Sequence, residues 1–450
     1  MAKSVQHKLL LVFCLSLLLT GSVFAQGVTT GALNGLVTDD KGEALVGANV
    51  IAVHEPSGTT YGTAVRNGGA FDLRNMRIGG PYSVTVSFIG YKTQTEANIY
   101  VNLAQTVRID FKLQEEAIEM GLIEVIAEQD EVLNSDRTGA ATYISSEQIA
   151  QLPSIKRSTR DLIRLDPRSD GNYSFGGRNW LYNNISVDGS YFNNPFGLDD
   201  PAPGGQSAAE PIPFDAIDQV QVSIAPFDVK QGGFTGAGVN TVTKSGTNQW
   251  NGSLYSFGRN ETFVGNKVDG NQVISNPELS YYQSVFSVSG PIVENKLFFF
   301  LNAERDRRDD PATNFVASEG GSSGLGISRV DAAIMDSIRR VMSRVYGYET
   351  GEYQGFIHET NNEKFILKLD WNVNENNNMT FRYNFLDARR EQGPHPFVLS
   401  AFGSGRGPNE SSLPFQNSGY RINNELSSYA LEINSRSSTF ANRFFASSNR

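Results

Sequence analysis

The chain has 450 residues, a formal net charge of −10 and a pI near 5.1, an acidic balance that argues against a nucleic-acid partner. Its single cysteine, Cys14, and its four scattered histidines argue against disulfide scaffolds and against metal or catalytic sites built from Cys or His. We therefore predict no catalytic residue, no metal and no cofactor, and the glycine-rich, aromatic composition favours a mainly β fold.

Residues 1–25 are predicted to be a secretory signal peptide. Lys3 and Lys8 precede an apolar run from Leu9 to Leu19, and the small residue Ala25 follows at a suitable cleavage position. The apolar run is about 11 residues long, which is too short for a membrane-spanning helix. Cleavage after Ala25 would leave a mature chain without a thiol.

Residues 32–114 are predicted to form a small β-sandwich of about seven strands. Apolar residues alternate with polar ones in the segment YSVTVSF, and turn signals such as Asn67-Gly68 and Gly79-Gly80 separate the strands. The segments GLVTD, GANV, GAF and GY resemble the carboxypeptidase regulatory-like domain. That resemblance implies a structural or docking module, with ligand binding as the alternative.

Residues 115–131 are predicted to be an acidic, extended linker because their like charges repel one another. Within the linker, the β-branched segment GLIEVIAE suits a strand that pairs with the sheet edge of another protein. It resembles a Ton box, the segment that a TonB-type energy-transducing protein grasps. The predicted box residues are Leu122, Ile123, Glu124, Val125 and Ile126. An ordinary interdomain linker is the alternative.

Residues 132–246 are predicted to form a compact α+β unit. Ser145 and Gln148 form a capping box before a short helix that Pro153 ends, and Thr159 caps a second helix before Pro167. The segments YNNISVDGS and IDQVQVSIAP alternate as strands do. Two helices among such strands indicate a small domain with its own core.

The same unit resembles the plug domain of TonB-dependent outer-membrane receptors. The resemblance rests on the motifs GGR, VDG and IDQVQV, and on PFDVKQGGFTGAGVNTVTKSGTN, which is similar to the Oar-like branch of the family. One departure is that this chain has Gly-Arg where many members have Arg-Gly. The candidate ligand-binding residues at the plug apex are Arg178, Asn179, Trp180, Tyr182, Tyr191 and Phe192. Packing of the plug against the barrel is the alternative for each of them.

The glycine-rich stretch that ends the plug is predicted to be a hinge that presses closely against the enclosing barrel wall. Its glycines are Gly232, Gly233, Gly236 and Gly238. Glycine permits positive φ and close approach of neighbouring backbone. A phosphate-binding loop is the alternative, but the Gly-Lys-Ser/Thr sequence and the strand–loop–helix context are missing.

Residues 247–450 are predicted to be the N-terminal part of a transmembrane β-barrel. The predicted strands are 249–258, 280–289, 296–304, 363–372, 378–387, 425–434 and 438–447. Phe365 and Leu367 alternate with Lys364 and Lys368, so one face suits lipid and the other a polar lumen. The connections alternate between long and short, as external loops and periplasmic turns do.

Two further expectations concern the barrel. The segment DAAIMDSIRRVMSRVY in the longest loop has an apolar helical stripe, which we expect to pack against its own loop, with membrane insertion or ligand binding as the alternative. Plugged outer-membrane transporters use about 22 strands, so we expect these residues to be part of a longer protein.

The leading interpretation is a TonB-dependent receptor in the outer membrane of a Gram-negative bacterium, with its N-terminal domain in the periplasm. The resemblance implies ligand capture at the external loops and plug apex, and transport driven by a TonB-type partner. Outer-membrane lipid is a predicted partner, and a surface lipoprotein is a further candidate. The alternative is an outer-membrane adhesin or structural surface protein that does not transport, and an enzyme is the least favoured hypothesis.

Overall fold

The computed structural model describes residues 27–115, 140–152, 154, 157–194, 200–224, 231–232, 234–274, 278–394, 407–437 and 440–450. The predicted signal peptide and the candidate box Leu122–Ile126 lie outside these residues. Within them the chain forms a sandwich, a plug and a wall of long strands, in that order. Among the described residues, no helix is both long enough and apolar enough to cross a membrane.

The sandwich consists of two four-stranded sheets, β4-β1-β7 with β8 beside β1, and β3-β2-β5-β6. Its strands are β1 Gly31–Asp39, β2 Asn49–His54, β3 Thr59–Ala64, β4 Ala70–Met76, β5 Gly79–Ser87, β6 Gln94–Val101, β7 Thr106–Arg108 and β8 Phe111–Leu113. Tyr82, Val84 and Val86 are fully buried between the sheets, as the alternation predicted. The sandwich has eight strands, one more than expected. The segment TVRIDFKL forms two short strands, β7 and β8, which both run parallel to β1.

His54 is a titratable group of the sandwich whose pKa is strongly lowered by the fold. It is buried, and its Nδ1 lies 2.7 Å from Ser57 Oγ. Burial, assisted by the positive charge of Arg77, lowers the pKa of His54 to about 3. In the unfolded chain the same imidazole would titrate near its ordinary value of 6.5. Between these two values the unfolded state binds the proton and the folded state does not.

We therefore expect the sandwich to lose stability as the pH falls below about 6.5, by up to about 1.4 kcal/mol per pH unit from this group. Urea unfolding of segment 27–115, whose sheets enclose their own core, at pH 7 and pH 5 measures this loss. His54→Gln keeps a polar side chain but removes the titration, so its pH dependence should be shallower. Identical slopes for the two proteins would contradict the assignment.

The plug is built on a five-stranded mixed sheet with the order β11-β10-β13-β12-β9. Its strands are β9 Ala140–Ile144, β10 Asn184–Val187, β11 Ser190–Tyr191, β12 Ile217–Ile224 and β13 Ala237–Thr243. Its helices are α1 Ser146–Gln151 and α2 Thr159–Ile163, and its 3-10 turns are Trp180–Tyr182, Gly205–Ser207 and Phe214–Ala216. β9 lies at the edge of the sheet and pairs only with β12 among the described strands.

The N-termini of the two plug helices can be compared with the predicted N-cap residues. The capping box at α1 is confirmed, because Gln148 N donates to Ser145 Oγ (3.4 Å) and Ser145 N donates to Gln148 Oε1 (3.1 Å). The cap predicted for α2 is wrong by one residue, since Ser158 rather than Thr159 accepts from Arg160 N. Thr159 is instead the first helical residue, and its hydroxyl bonds to Tyr173 and Glu210.

The wall is a seven-stranded antiparallel sheet, β14-β17-β18-β21-β22-β23-β24, in which every strand pairs with its neighbours along the chain. Its strands are β14 Asn251–Asn260, β17 Ser280–Val293, β18 Leu297–Pro311, β21 Ile357–Asn374, β22 Asn377–Gln392, β23 Tyr420–Arg436 and β24 Ala441–Asn449. All seven predicted strands are present, and the alternation of long and short connections is confirmed. Five of the seven strands are longer than predicted. β18, β21, β22 and β23 extend mainly toward the long loops, whereas β17 extends toward the short turn before β18.

The two faces of the wall differ as predicted. Lys364, Lys368 and Arg382 are buried on the face toward the plug, whereas Phe365 and Tyr383 are partly exposed on the other. The outward apolar residues of β21 run from Phe365 to Trp371, about 20 Å at the rise of a strand, close to the lipid-facing band of such barrels. Beyond this band, Arg307 pairs with Glu363 at 2.7 Å, which gives the outer face a polar boundary.

The long loops contain short elements of their own. These are β15 Lys267–Val268, β16 Asn271–Gln272, β19 Val316–Ser318, β20 Ile327–Asp331, α3 Ala332–Tyr346 and the 3-10 turns Glu261–Phe263 and Gln416–Ser418. The helix α3 forms where predicted, but its apolar stripe does not pack on the loop. Ile334 and Val345 are 59% and 68% exposed, and Met335 on another face is the residue that packs with Ala317 and Tyr353. Nothing in the described residues covers the stripe.

Candidate functional site: the plug and its contact with the barrel wall

The plug packs directly on the inner face of the wall. Its hydrophobic core continues into the barrel through Leu386, Ala388 and Leu426, and a smaller cluster joins Ala216 to Phe300 and Ile366. Asn384 Nδ2 also donates to the carbonyl oxygen of Pro211 (3.0 Å). The plug and wall therefore share buried surface and do not merely lie side by side.

A buried charge cluster lies at the centre of this interface. Asp188 of the plug is 3.6 Å from Lys368 Nζ and 3.7 Å from Arg382 Nη1, and both cations belong to the wall. Arg382 also donates to the carbonyl oxygen of Val187 (2.5 Å) and to Ser190 Oγ (2.9 Å). All three charged side chains are almost completely buried. We call Asp188, Lys368 and Arg382 the central ion cluster.

Local backbone geometry explains the position of Asp188. Val187 pairs with Ser190, so Asp188 and Gly189 form a two-residue turn, and both have positive φ, 43° and 79°. Such turns favour Asp-Gly because both central residues adopt left-handed conformations. Thr243 fixes the carboxylate further, since its N donates to Asp188 Oδ1 (2.9 Å) and its hydroxyl to Oδ2 (2.6 Å). The VDG motif is thus the turn that presents a carboxylate to the wall.

A second polar contact joins the plug to the first wall strand. The Arg157 guanidinium forms an ion pair with Asp215 and donates to Tyr255 Oη (2.6 Å), and Tyr255 also hydrogen-bonds to Asp215. The same guanidinium lies 5.0 Å from the ring centroids of both Phe214 and Phe257. Aromatic faces and a carboxylate both stabilise a cation, so this arginine anchors the plug to β14.

Four of the candidate ligand residues lie together at one end of the plug. Asn179 caps the 3-10 turn that contains Trp180 and Tyr182, and its side chain accepts from Leu181 N (2.9 Å). Arg178 Nη1 donates to the carbonyl oxygen of Thr235 (2.6 Å). This end faces the long loops, because β13 starts here and runs toward the short turns. Tyr182 is 56% exposed, and Arg178 and Asn179 are exposed too.

The other two candidates occupy different environments. Tyr191 is partly buried, and its hydroxyl donates to the carbonyl oxygen of Gly232 (3.4 Å). Phe192 is 1% exposed in the plug core, and the Arg382 guanidinium lies 5.3 Å from its ring centroid. The structure places this ring over the central ion cluster, in line with the packing alternative, and a role of Phe192 in ligand binding stays a prediction. Among the described residues, no group of three His, Cys, Asp or Glu side chains is arranged to hold a metal ion.

The glycine stretch packs closely, and the nearest neighbours of Gly236 and Gly238 are residues of the plug itself. A Cβ on Gly236 would clash with the Asn183 side chain and lie 3.0 Å from the Tyr182 carbonyl oxygen, and one on Gly238 would lie 3.1 Å from Phe234. All these neighbours belong to the plug, and neither glycine has positive φ. The predicted contact of these two residues with the wall stays a prediction. Gly233 lies outside the described residues, and the hinge role stays a prediction.

The central ion cluster was not predicted, although the sequence contains features that point to its two cations. Lys368 and Arg382 alternate with lipid-facing residues, so a charge at each position must face the interior. A buried cation requires a counter-charge. The VDG turn supplied that partner, but nothing in the sequence between Asp188 and Arg382 indicates that the two meet.

A plug inside a wall of antiparallel strands with one lipid-compatible face is the architecture of plugged outer-membrane β-barrel proteins. Two family models match the chain. Residues 32–114 match the carboxypeptidase regulatory-like domain, and residues 242–324 match an outer membrane beta barrel domain. The first match confirms the resemblance found in the sandwich motifs, and the second covers the start of the wall.

The chain is also similar to curated proteins. It is 22% identical over 324 residues to the TonB-dependent transporter Oar of Myxococcus xanthus, an alignment that covers 68% of this chain and 28% of that protein. It is 28% identical over 156 residues to the TonB-dependent receptor SusC of Bacteroides thetaiotaomicron, covering 35% of this chain and 14% of that protein. The aligned region thus spans less than a third of the length of either relative.

Among solved structures, the outer membrane transporter YddB from Escherichia coli is similar over 68% of this chain and 38% of its own, with 12% identity and a TM-score of 0.47. The homologues of this chain are TonB-dependent transporters and receptors, and the resemblance stated from the sequence is confirmed. Together with the barrel-domain match, they indicate a location in the outer membrane of a Gram-negative bacterium.

Proposed function

We propose that the protein is a TonB-dependent outer-membrane receptor that binds a ligand at the plug apex and the long loops and transports it. The observation that carries this proposal is the fastening of a separate plug to the polar inner face of the wall through the central ion cluster. Ion pairs and hydrogen bonds make up much of this attachment, and Leu386, Ala388 and Leu426 are the wall residues that join the plug core among the described residues, so the plug could detach with most of its core intact. An adhesin or structural surface protein would not need a plug attached to the inner face of its wall.

The ligand would first meet Arg178, Asn179, Trp180 and Tyr182. Tyr182 is exposed, and Trp180 is partly buried against the plug core. Accessible aromatic rings next to guanidinium and amide groups can stack on and hydrogen-bond to sugars or peptides. Tyr191 would lie behind this group, near Gly232. No bond is made or broken in this process, and we propose that the chain is not an enzyme, in agreement with the transporter class of its homologues.

The energy would come from a TonB-type partner that grasps the box Leu122–Ile126 in the periplasm, where the sandwich also lies. The box precedes β9, the edge strand of the plug sheet, so tension on the linker would act on the strand with a single partner. Outer-membrane lipid would contact the outward face that includes Phe365 and Tyr383. A surface lipoprotein at the long loops is a further candidate partner.

The test is binding of a peptide spanning Gly121–Glu128 to the TonB-type protein of the same bacterium. We expect the peptide to bind and Val125→Pro to bind at least about tenfold more weakly, because proline removes a backbone donor from an added strand. A peptide with the same residues in scrambled order is the matched control. Equal binding by all three peptides, or by none, would contradict the transport proposal and favour an adhesin.

A further inference from the structure

A large cavity lies on the short-turn side of the plug, and the sandwich forms one of its walls. Its volume is about 1550 Å³. Tyr61 and Arg77 line it from the sandwich, Asp218 from plug strand β12, and Ser289 and Thr380 from the wall. The plug separates this cavity from the apex residues, so any path opened past the plug would lead into it.

The sandwich is docked across the short-turn ends of the wall strands. Arg436 at the end of β23 lies over the Tyr61 ring, 4.0 Å from its centroid. Arg77 Nη2 donates to the carbonyl oxygen of Gly246 (2.8 Å) and lies 3.9 Å from Asp370 of β21. These contacts fix both a tyrosine face and a guanidinium of the sandwich against the barrel mouth.

Further contacts extend the docking surface on both sides. Thr29 Oγ1 donates to Glu432 (2.8 Å), which also accepts from Arg443 of β24 (3.0 Å). Asn372 Nδ2 donates to Thr59 Oγ1 (3.0 Å). Near the β17–β18 turn, Gly58 packs against the side chain of Asn295. The sandwich therefore reaches from the turn before β18 to β24.

The contacts between the sandwich and the rest of the chain are mainly polar, as in interfaces that can open and close. Its apolar part is small, a cluster in which Val28, Ile78 and Leu103 pack on Val242 of plug strand β13. The contacts with the wall named above are mainly hydrogen bonds, ion pairs and one cation–π contact. The sandwich and plug each have their own hydrophobic core. Polar interfaces between independently cored domains permit relative motion.

We propose that the sandwich is a reversible lid on the short-turn mouth of the barrel, which closes the cavity beneath the plug until it undocks. The proposal rests on the proposed transport function, because a lid at this position matters only if cargo leaves the barrel there. It assigns the N-terminal domain a role beyond that of a structural module. The partner that fits this surface of the sandwich is the barrel rim of the same chain.

The experiment uses the full-length protein in outer-membrane vesicles that expose the short-turn side. Ser289→Cys places a thiol in the cavity of a chain whose own cysteine lies in the predicted signal peptide. We expect a bulky polyethylene-glycol maleimide to label it slowly in the docked protein. Adding Arg436→Ala and Asn372→Ala, which remove docking contacts from the wall side and leave the sandwich core intact, should raise that rate at least about tenfold, with little change for N-ethylmaleimide. Glu294→Cys, exposed in the short turn between β17 and β18 and therefore on the same side as the reagent, is the matched control.

A disulfide tests the docking directly. A Cβ on Gly58 would lie 3.3 Å from that of Asn295, near the spacing of a disulfide. Because Gly58 has φ +61°, Thr59→Cys with Asn372→Cys serves as a second pair. We expect at least one pair to cross-link in the periplasm. Failure of both pairs, or rapid labelling of Ser289→Cys by the bulky reagent in the docked protein, would overturn the lid. Neither result depends on peptide binding, so a failed transport proposal remains distinguishable.

Discussion

Asp188→Ala is expected to weaken the attachment of the plug to the wall by about 3–5 kcal/mol, because it removes the one carboxylate that lies within 4 Å of both buried cations among the described residues. Lys368 and Arg382 are both within 4 Å of the carboxylate and almost completely buried. The substitution also removes the acceptor for Thr243 N and its hydroxyl. Faster amide hydrogen exchange in β10 and β13 of the membrane-embedded protein would report the loss.

Two control variants distinguish the loss of the Asp188 charge from the loss of its hydrogen bonds and side-chain shape. Asp188→Asn keeps an acceptor for Thr243 and should cost less than alanine, although both cations lose this carboxylate. Arg382→Met in the Asp188→Ala background should recover part of the loss, because it removes one of these two cations. Wild-type exchange rates in Asp188→Ala would show that the central ion cluster does not hold the plug.

Gly236→Val is expected to destabilise the plug by about 1–3 kcal/mol or more, because overpacking forces neighbouring backbone to move. A side chain at this position would clash with Asn183 and lie against the Tyr182 carbonyl oxygen. Both neighbours adjoin the exposed apex, so the apex turn should lose protection from proteolysis. Yield of folded protein in the outer membrane and limited proteolysis measure the effect.

The matched control is the same substitution at Gly265, in the loop after β14. A Cβ there would meet nothing within 4 Å, and this glycine does not have positive φ. Gly265→Val should therefore leave yield and proteolysis almost unchanged. If Gly236→Val behaved in the same way, the close packing of the glycine stretch within the plug would be incorrect.

The wall could be predicted strand by strand because its periodicity is strong. Phe365, Leu367 and Leu369 alternate with Lys364 and Lys368. Such alternation indicates a strand, whereas a short continuous apolar run could be a strand or a helix. The upper parts of the strands were missed for a physical reason. Beyond the lipid band both faces are polar, as the Arg307–Glu363 pair illustrates, so the sequence loses its alternation while the backbone pairing continues.

The site was less accessible to sequence reasoning because its contacts are distant in sequence. Spacing located the apex turn from Arg178 to Tyr182 as one unit, but it did not distinguish the exposed Tyr182 from the buried Phe192. The helix α3 gives the same lesson. Periodicity identified its apolar stripe, yet which face is covered depends on Met335 and its partners Ala317 and Tyr353 elsewhere in the loop.

The strictly sequential pairing of the wall strands has a consequence for the order of assembly. Each strand from β17 to β24 finds its partner in the segment just synthesised, so the wall can grow hairpin by hairpin with small loop-closure cost. The plug sheet cannot, because β10 must await β13, which is its parallel neighbour. We therefore expect the nascent wall to gain order hairpin by hairpin, and the plug sheet to gain it in one cooperative step that cannot begin before β13 is available.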